Sequence, residues 1–407
     1  MSTIVQESSA RAAEPLFRFG LIADVQYADR EDGHNFSRTV ERRYRQSRKI
    51  WEAACRWWTE EGVDFVAQLG DFIDGVNREA PRAEAERALA ALLRPLEGGP
   101  PAVHLLGNHE LYNFSREELE AGISLPGVST PFSVVAPRAL QSRSRSPHHR
   151  RAFFDLSPCP GWRVLVLDPY DISVVSRGGG RPGVEVGPEG LDAAAVAMCQ
   201  ARNPNDILAG DFARGLPEGP PSRWLPFNGA LGAEQLRWLR ESLRQSHEDG
   251  EQVVVLSHVV LHPAATSDSN CVALLWNYEE ALSLLREYPP VAVLCGHAHR
   301  GAHTVDEASG THHLTLASPL EVAEGGDASA IAEAMPDGSL RLSSPWACRS
   351  QGSGAAAPSG APCCAWTGAR SPLPREPAAA QRAVCSWGEA CPLATEDAGP
   401  EPLFAVP

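Results

Sequence analysis

Short apolar runs alternate with longer amphipathic stretches along the first 342 positions of the chain. Phe17–Ala23, Val63–Leu69, Ala102–Leu106, Arg163–Leu167, Val253–Leu256 and Val291–Cys295 read as strands, and Leu314–Leu316 and Leu340–Leu342 as closing strands. Between them, residues 37–60 carry Tyr44, Ile50, Trp51, Ala54 and Trp58 at helical spacing, with Ser37 as the cap. Residues 82–94, rich in Ala, Glu and Arg, predict a second helix, and 232–243, with Gln235, Trp238 and Leu239, a third. Strand–helix–strand repetition of this kind predicts a layered α/β fold. The middle is less regular: 141–151 is a basic, turn-rich loop, and 173–222, rich in Gly and Pro, is a long excursion.

The pattern stops near Leu342. Residues 343–407 hold ten Pro and six Gly, with no Ile and no Lys. A segment of that composition buries too little surface to offset its ordering entropy, which predicts a disordered tail. The expected organisation is therefore a loose N-terminus (1–15), a catalytic domain (16–342) and the tail (343–407).

Composition narrows the partners. With 43% hydrophobic residues the chain can bury a sizeable core, and a net charge of −15 argues against a nucleic-acid partner. It leaves room for a small anionic substrate, because a bound metal can dominate the local field. Five of the ten cysteines lie in the tail, the others are scattered, and Cys295 sits in an apolar run where a free thiol is usual. The N-terminus shows no secretory pattern, and no apolar stretch approaches the ~18 residues that span a membrane. These features read as a reduced, soluble, cytoplasmic protein, taken as a monomer that binds neither nucleic acid nor membrane.

The chemistry sits at the strand ends. Asp24-Val25-Gln26, Gly70-Asp71-Phe72-Ile73-Asp74, Gly107-Asn108-His109-Glu110, Ser257-His258 and Gly296-His297-Ala298-His299 each follow a predicted strand. Carboxylate, amide and imidazole groups of this number suit two neighbouring divalent cations. Extended backbone would send Asp24 and Gln26 to one side, and likewise His297 and His299. Asp71, with two oxygens, is the natural bridge. A lone Asp or Ser-His at a strand end is usually a cap or a core residue; all five segments in order are not coincidence. Two cations ~3.5–4 Å apart clamp the attacking and leaving oxygens of an in-line phosphoryl displacement, and water they activate, rather than a side chain, would be the nucleophile.

The order and types of these residues resemble the calcineurin-like metallophosphoesterases. Residues 17 to about 342 are similar to one branch, the manganese-dependent ADP-ribose/CDP-alcohol diphosphatases, through the stretches 22–29, 31–36, 69–75, 107–116, Phe227-Asn228-Gly229, Trp276-Asn277-Tyr278 and 296–299. The specific signal is Gln26, where most of the superfamily has His; an amide oxygen is a harder ligand than imidazole and fits manganese. The resemblance implies a four-layer α/β/β/α sandwich. It implies one metal on Asp24, Gln26, Asp71 and His299 and another on Asp71, Asn108, His258 and His297, manganese before magnesium. His109 would contact phosphate or protonate the leaving group, oriented by Asp74. Gly75, where protein Ser/Thr phosphatases have Arg, and Asp74, where purple acid phosphatases have a ligating Tyr, set those branches aside.

Other conspicuous residues have plainer readings. Arg38, Arg42, Arg43, Arg45, Arg48 and Lys49 crowd one predicted helix and read as a solvated face; Arg143 to Arg151 read as surface. Phe36 and Tyr112 are candidates to stack on a nucleobase, with packing as the competing role. Trp51, Trp57 and Trp58 read as core anchors and Asp168 as a turn or cap residue. The expected activity is hydrolysis of the diphosphate bond of ADP-ribose and of CDP-choline, CDP-glycerol or CDP-ethanolamine, giving AMP or CMP and a phosphorylated sugar or alcohol. The alternatives are a phosphodiesterase on cyclic nucleotides or phospholipid head groups, and a catalytically silent metal-binding interaction protein.

Overall fold

The structure, a computed structural model, describes residues 13–35, 38–141, 151–175, 192–209, 212–267, 271–324, 326, 328–343 and 366–368. Two six-stranded sheets form its centre. The first runs Trp366–Gly368, Leu340–Ser343, Ala330–Ala334, Phe17–Ile22, Phe65–Gln68, Ala102–His104, and the last three of these are mutually parallel. The second runs Arg300–Val305, His312–Ala317, Ala292–Cys295, Gln252–Ser257, Trp162–Val166, Phe154–Leu156, with the inner four parallel. Antiparallel strands close both sheets.

Alternation along the strands builds the layers. Phe17, Phe19 and Leu21 point between the sheets, where they join Phe65, Ala67, Trp162, Val164, Val254, Leu256 and Leu294 in one apolar cluster. Phe19 stacks on Phe65 at 4.9 Å and Phe17 meets the Trp162 edge at 5.7 Å. Ile22 and Val66 face outward onto Trp51, Ala54 and Trp58 of the helix Tyr44–Glu60, while Val253, Val255 and Val293 face Leu239 and Leu243 of the helix Ala233–Glu248 and Leu282 of Tyr278–Glu287. Both buried indoles are satisfied: Trp51 Nε1 donates to the Leu92 carbonyl at 2.8 Å and Trp58 Nε1 to that of Ala330 at 2.9 Å. The result is the four-layer α/β/β/α sandwich. In such sheets the carboxyl ends of parallel strands share one rim, and ligands bind there.

Several boundaries differ from expectation. The first helix begins at Tyr44, with Arg43 as its cap residue; Ser37 and Phe36 lie outside the described residues. The intervening chain instead makes a small antiparallel ribbon, Gly33–His34 with Glu41–Arg42, so Arg38, Arg42 and Arg43 precede the helix. Within the 173–222 excursion, Ala193–Gln200 is helical under the Asp192 cap, and Ile172–Ser173 pairs with Gly229–Ala230. Of the expected tail, Trp366–Gly368 extends the first sheet beside Leu340–Ser343; apart from that strand and Ser343, the tail lies outside the described residues, as do residues 1–12 and 142–150. Among the described residues, no helix is long and apolar enough to cross a membrane.

Candidate metal centre

Parallel strands of both sheets deliver their next residues to one rim. After Phe17–Ile22 come Asp24 and Gln26, after Phe65–Gln68 comes Asp71, and after Ala102–His104 comes Asn108; all four are buried. Asp24, Gln26 and Asp71 are left-handed, with φ of 53°, 43° and 57°, as is His297 at 68°. Extended backbone therefore does not aim Asp24 and Gln26, contrary to expectation. Non-glycine residues of positive φ are uncommon and gather where structure over-determines them. Here the determinants are main-chain bonds: Asp24, Gln26 and Tyr27 donate N–H to the carbonyls of Gly70, Asp71 and Phe72. Glu110 finishes the job. Its carboxylate accepts from the N–H of Asp71 (2.8 Å), Phe72 (2.7 Å) and Gly107 (2.9 Å), locking two loops together. A Cβ on Gly107 would sit 2.2 Å from Asp71 Oδ1, and one on Gly296 2.7 Å from Asp24 Oδ2, so the loops close only around glycine.

The imidazoles are aimed by partners on their far nitrogens. His258 Nδ1 lies 2.7 Å from the Leu69 carbonyl, which fixes the proton there and turns a buried, unpartnered Nε2 toward Asp71 Oδ2, 3.5 Å away. His299 Nδ1 faces Glu321 at 2.8 Å, leaving Nε2 toward Asp24 at 3.5 Å. His297 Nε2 lies 2.8 Å from Asn228 Oδ1. The Asn228 amide nitrogen already donates to the carbonyls of Arg223 and Val272, so its oxygen accepts and His297 keeps Nδ1 free. Such outer partners set both tautomer and ring orientation of a metal-binding histidine.

Charge is concentrated here. Burial would raise the Asp71 pKa, but His109, His258 and His297 outweigh it and hold the carboxyl well below its usual range. Burial opposes protonation of His258 and His299, yet Asp71 and Asp24 bring the first up to about 9, and Asp24 with Glu321 bring the second to about 10. Burial, with His258 next, drives His297 well below its ordinary value. His109 Nδ1 accepts the Gly75 N–H at 2.6 Å, which leaves its proton on Nε2, 3.7 Å from Asp71 Oδ2. Asp74, expected to orient His109, stands 3.6 Å from that Nδ1, beyond hydrogen-bond range, and caps the Val76 N–H. Tyr112 lies against His109 with ring centres 5.3 Å apart.

The donors fit a pair of cations. Ligand atoms of Asp71, His258 and His297 lie within 4.8 Å of one another, as do those of Asp24, Asp71 and His299, and Asp71 is common to both groups. Atoms bound to one ion at about 2.0–2.2 Å span close to that distance. Gln26 Nε2 touches Asp71 at 2.9 Å and His299 at 3.0 Å while Oε1 is buried without a partner; a half-turn of the amide exchanges the two atoms and offers an oxygen at that convergence.

Residues 17–151 match the calcineurin-like phosphoesterase family. A manganese-dependent ADP-ribose/CDP-alcohol diphosphatase of Oryza sativa is 35% identical over 339 residues, 82% of this chain and 93% of the relative. That of Homo sapiens is 34% identical over 81% of this chain and 91% of the relative. The chain belongs to the manganese-dependent ADP-ribose/CDP-alcohol diphosphatase family. A crystal structure of a dimetal phosphatase from Danio rerio superimposes with a TM-score of 0.68 at 33% identity, covering 81% of this chain and 96% of that one.

Seen as a member of that diphosphatase family, the chain brings Asp24, Gln26, Asp71, Asn108, His258, His297 and His299 to one rim, with His109 and Asp74 beside them. Phe36 lies outside the described residues. Sequence reasoning assigned no role to Glu110, Asn228, Glu321 or Tyr170, which hold the donors in place. Glu110 and Asn228 stood inside quoted stretches and were available as signals; Glu321 and Tyr170 had none. One plain reading changes as well: Arg42 reaches inward to Glu321 at 3.2 Å and Asp74 at 4.0 Å instead of lining a solvated face. Asp168 does cap a turn, accepting the Tyr170 N–H at 3.0 Å, and is also a buried partner of Arg116 at 2.6 Å.

Proposed function

We propose that this chain hydrolyses the diphosphate bond of ADP-ribose and of CDP-alcohols such as CDP-choline, CDP-glycerol and CDP-ethanolamine, with two Mn²⁺ per chain. The products are AMP or CMP and a phosphorylated sugar or alcohol. The observation that carries the reading is Asp71, the one residue shared by two convergent donor groups, in a family whose curated members bear that activity in their name. Asp24, Gln26, Asp71 and His299 would hold one cation, and Asp71, Asn108, His258 and His297 the other. When bound, the pair supplies Lewis acidity and hydroxide at neutral pH for an in-line phosphoryl displacement.

The chain's own residues do the rest. His109 keeps a proton on Nε2 because Gly75 occupies Nδ1, so it can donate a hydrogen bond to a phosphate oxygen or to the departing one. Asp74 Oδ2, 3.6 Å from that ring, is buried without a hydrogen-bond partner, and Asp74 holds the loop that carries Gly75 by capping the Val76 N–H. Tyr112 lies against the His109 ring, and it and Phe36 are the candidates to meet the nucleobase. A cytoplasmic setting in nucleotide metabolism suits the buried free thiols of Cys55, Cys199 and Cys295. We read the protein as a monomer acting on small molecules, away from membranes and nucleic acid.

A Mn²⁺-supplemented panel of ADP-ribose, CDP-choline, CDP-glycerol, a cyclic nucleotide and an aryl phosphate tests the assignment. The diphosphates should turn over fastest; equal or faster turnover of the cyclic nucleotide sinks it. Asp71→Ala should abolish activity with an unchanged circular dichroism spectrum.

A further inference from the structure

One buried phenol touches the centre without belonging to any motif. Tyr170 follows the strand Trp162–Val166 of the second sheet, yet its hydroxyl donates to Asn108 Oδ1, delivered by the first, at 3.0 Å. Its side chain is fully buried, and its ring lies 6.1 Å from that of His258. The amide oxygen of Asn108 has two lone pairs. Tyr170 occupies one, and the other is left for a cation. Because the phenol approaches from a fixed direction, it fixes the oxygen end of the amide, whose side chain Tyr112 also meets.

The backbone that carries Tyr170 is unusually well held. Arg116, itself buried, donates to Asp168 Oδ2 at 2.6 Å and to the Tyr170 carbonyl at 2.7 Å. The Tyr170 N–H donates to Asp168 Oδ1 at 3.0 Å. Gln235, from the helix Ala233–Glu248, accepts the Asp168 N–H at 2.8 Å and returns a bond to the Asp168 carbonyl at 2.9 Å. Gly229 closes the other side: a Cβ there would lie 2.4 Å from the Pro169 carbonyl and 3.2 Å from Tyr170 Cα. A buried Arg–Asp pair is a costly way to fold a turn. Here it buttresses one side chain at a site where a small displacement matters.

We propose that Tyr170 is a positioning residue for the Asn108 side of the dimetal centre, held in register by Arg116, Asp168 and Gln235. The proposal rests on the reading of Asn108 as a ligand. It acts across the two sheets: the second sheet sets the orientation of a ligand on the first. Tyr170→Phe keeps the ring and removes only the hydroxyl that holds the Asn108 oxygen, leaving Tyr112, the other phenol that meets this side chain, in place.

The test is Mn²⁺ binding to metal-free protein, followed by the electron paramagnetic resonance of unbound Mn²⁺, with thermal unfolding of the same metal-free samples. Tyr170→Phe should bind one Mn²⁺ as the wild type does and the second 10–100-fold more weakly, the usual range for loss of an outer partner. Metal-free Tyr170→Phe should still unfold cooperatively. Asn108→Ala should weaken the same binding step further. Wild-type binding of both ions by Tyr170→Phe, when Asn108→Ala has lost one, overturns the proposal, whatever happens to the unfolding temperature. Wild-type binding of both ions by Asn108→Ala overturns the ligand assignment itself, and the proposal with it.

Discussion

The two sheets contribute to the rim by different means. The first supplies oxygen donors and aims them with its main chain: three left-handed residues (Asp24, Gln26 and Asp71), a ladder of loop hydrogen bonds, and Glu110 gathering three N–H groups. The second supplies imidazoles and aims them with individual acceptors, the Leu69 carbonyl, Asn228 and Glu321. A carboxylate has several lone pairs and tolerates approach from many directions, so fixing its loop is enough. An imidazole has one lone pair per neutral ring, so its tautomer and rotation must be fixed one by one. Damage to the first half should therefore register as lost fold stability. Damage to the second should register as lost metal affinity with the fold retained.

The largest effect is expected at Glu110. Glu110→Ala strands three buried N–H donors at about 1–3 kcal/mol each, so urea unfolding of the metal-free protein should lose at least about 3 kcal/mol. It should take Mn²⁺ binding with it, because Asp71 and Gly107 lose their common anchor. A loss below about 1 kcal/mol would show that the loop ladder suffices without Glu110. The counterpart on the second half is Glu321→Gln. It leaves an acceptor near His299 Nδ1 but removes the charge that steadies it, and Mn²⁺ affinity should fall 10–100-fold, with a smaller loss of metal-free stability than in Glu110→Ala because Arg42 also loses its partner. Equal losses of stability in the two variants would erase the distinction between the halves.

The same contrast explains what was legible in the sequence. Strand ends and the residues just past them could be read because apolar runs are contiguous and the donors follow them directly. The parallel strands of both sheets and the candidate donors came from that signal, and Gln26 pointed to the branch; the antiparallel strands Phe154–Leu156, Arg300–Val305 and Ala330–Ala334 were not read, and the two-sheet sandwich was implied by the family resemblance. The left-handed turns could not be read: positive φ is usually advertised by glycine, and Asp24, Gln26, Asp71 and His297 carry side chains there. Their conformation is imposed by contacts distant in sequence, such as the Gln26 N–H on the Asp71 carbonyl and Glu110 on the Asp71 N–H, 39 residues away. The supporting partners were hidden for the same reason. Glu321 meets His299 from 22 residues away and Tyr170 meets Asn108 from 62, with no local periodicity to announce either. The start of the first helix was misjudged because the Arg-rich stretch before Tyr44 has helix-compatible composition, while Arg42 is drawn inward by Glu321.

The smallest predicted effect tests whether the first half has an acid-sensitive support behind its loops. His104, the last residue of the strand Ala102–His104, is buried between Phe72 (5.2 Å) and Phe132 (4.7 Å), and its Nδ1 has no partner. Burial lowers its pKa from 6.5 to about 3. The unfolded chain therefore binds a proton between those values that the folded chain refuses, and stability is lost as pH falls from about 6.5 toward 3. At pH 5 the cost is about 2 kcal/mol, against almost nothing at pH 7. His104→Phe preserves the ring stack and removes the titrating group, and the metal ligands are common to both proteins, so their own titration cancels in the difference. Urea unfolding of metal-free wild type and variant at pH 7 and pH 5 should show the stability difference moving by about 2 kcal/mol in favour of the variant on acidification. A difference that stays constant would mean that His104 is protonated, or reached by water, in the folded protein. The first half would then owe its acid sensitivity to the carboxylates at the rim alone.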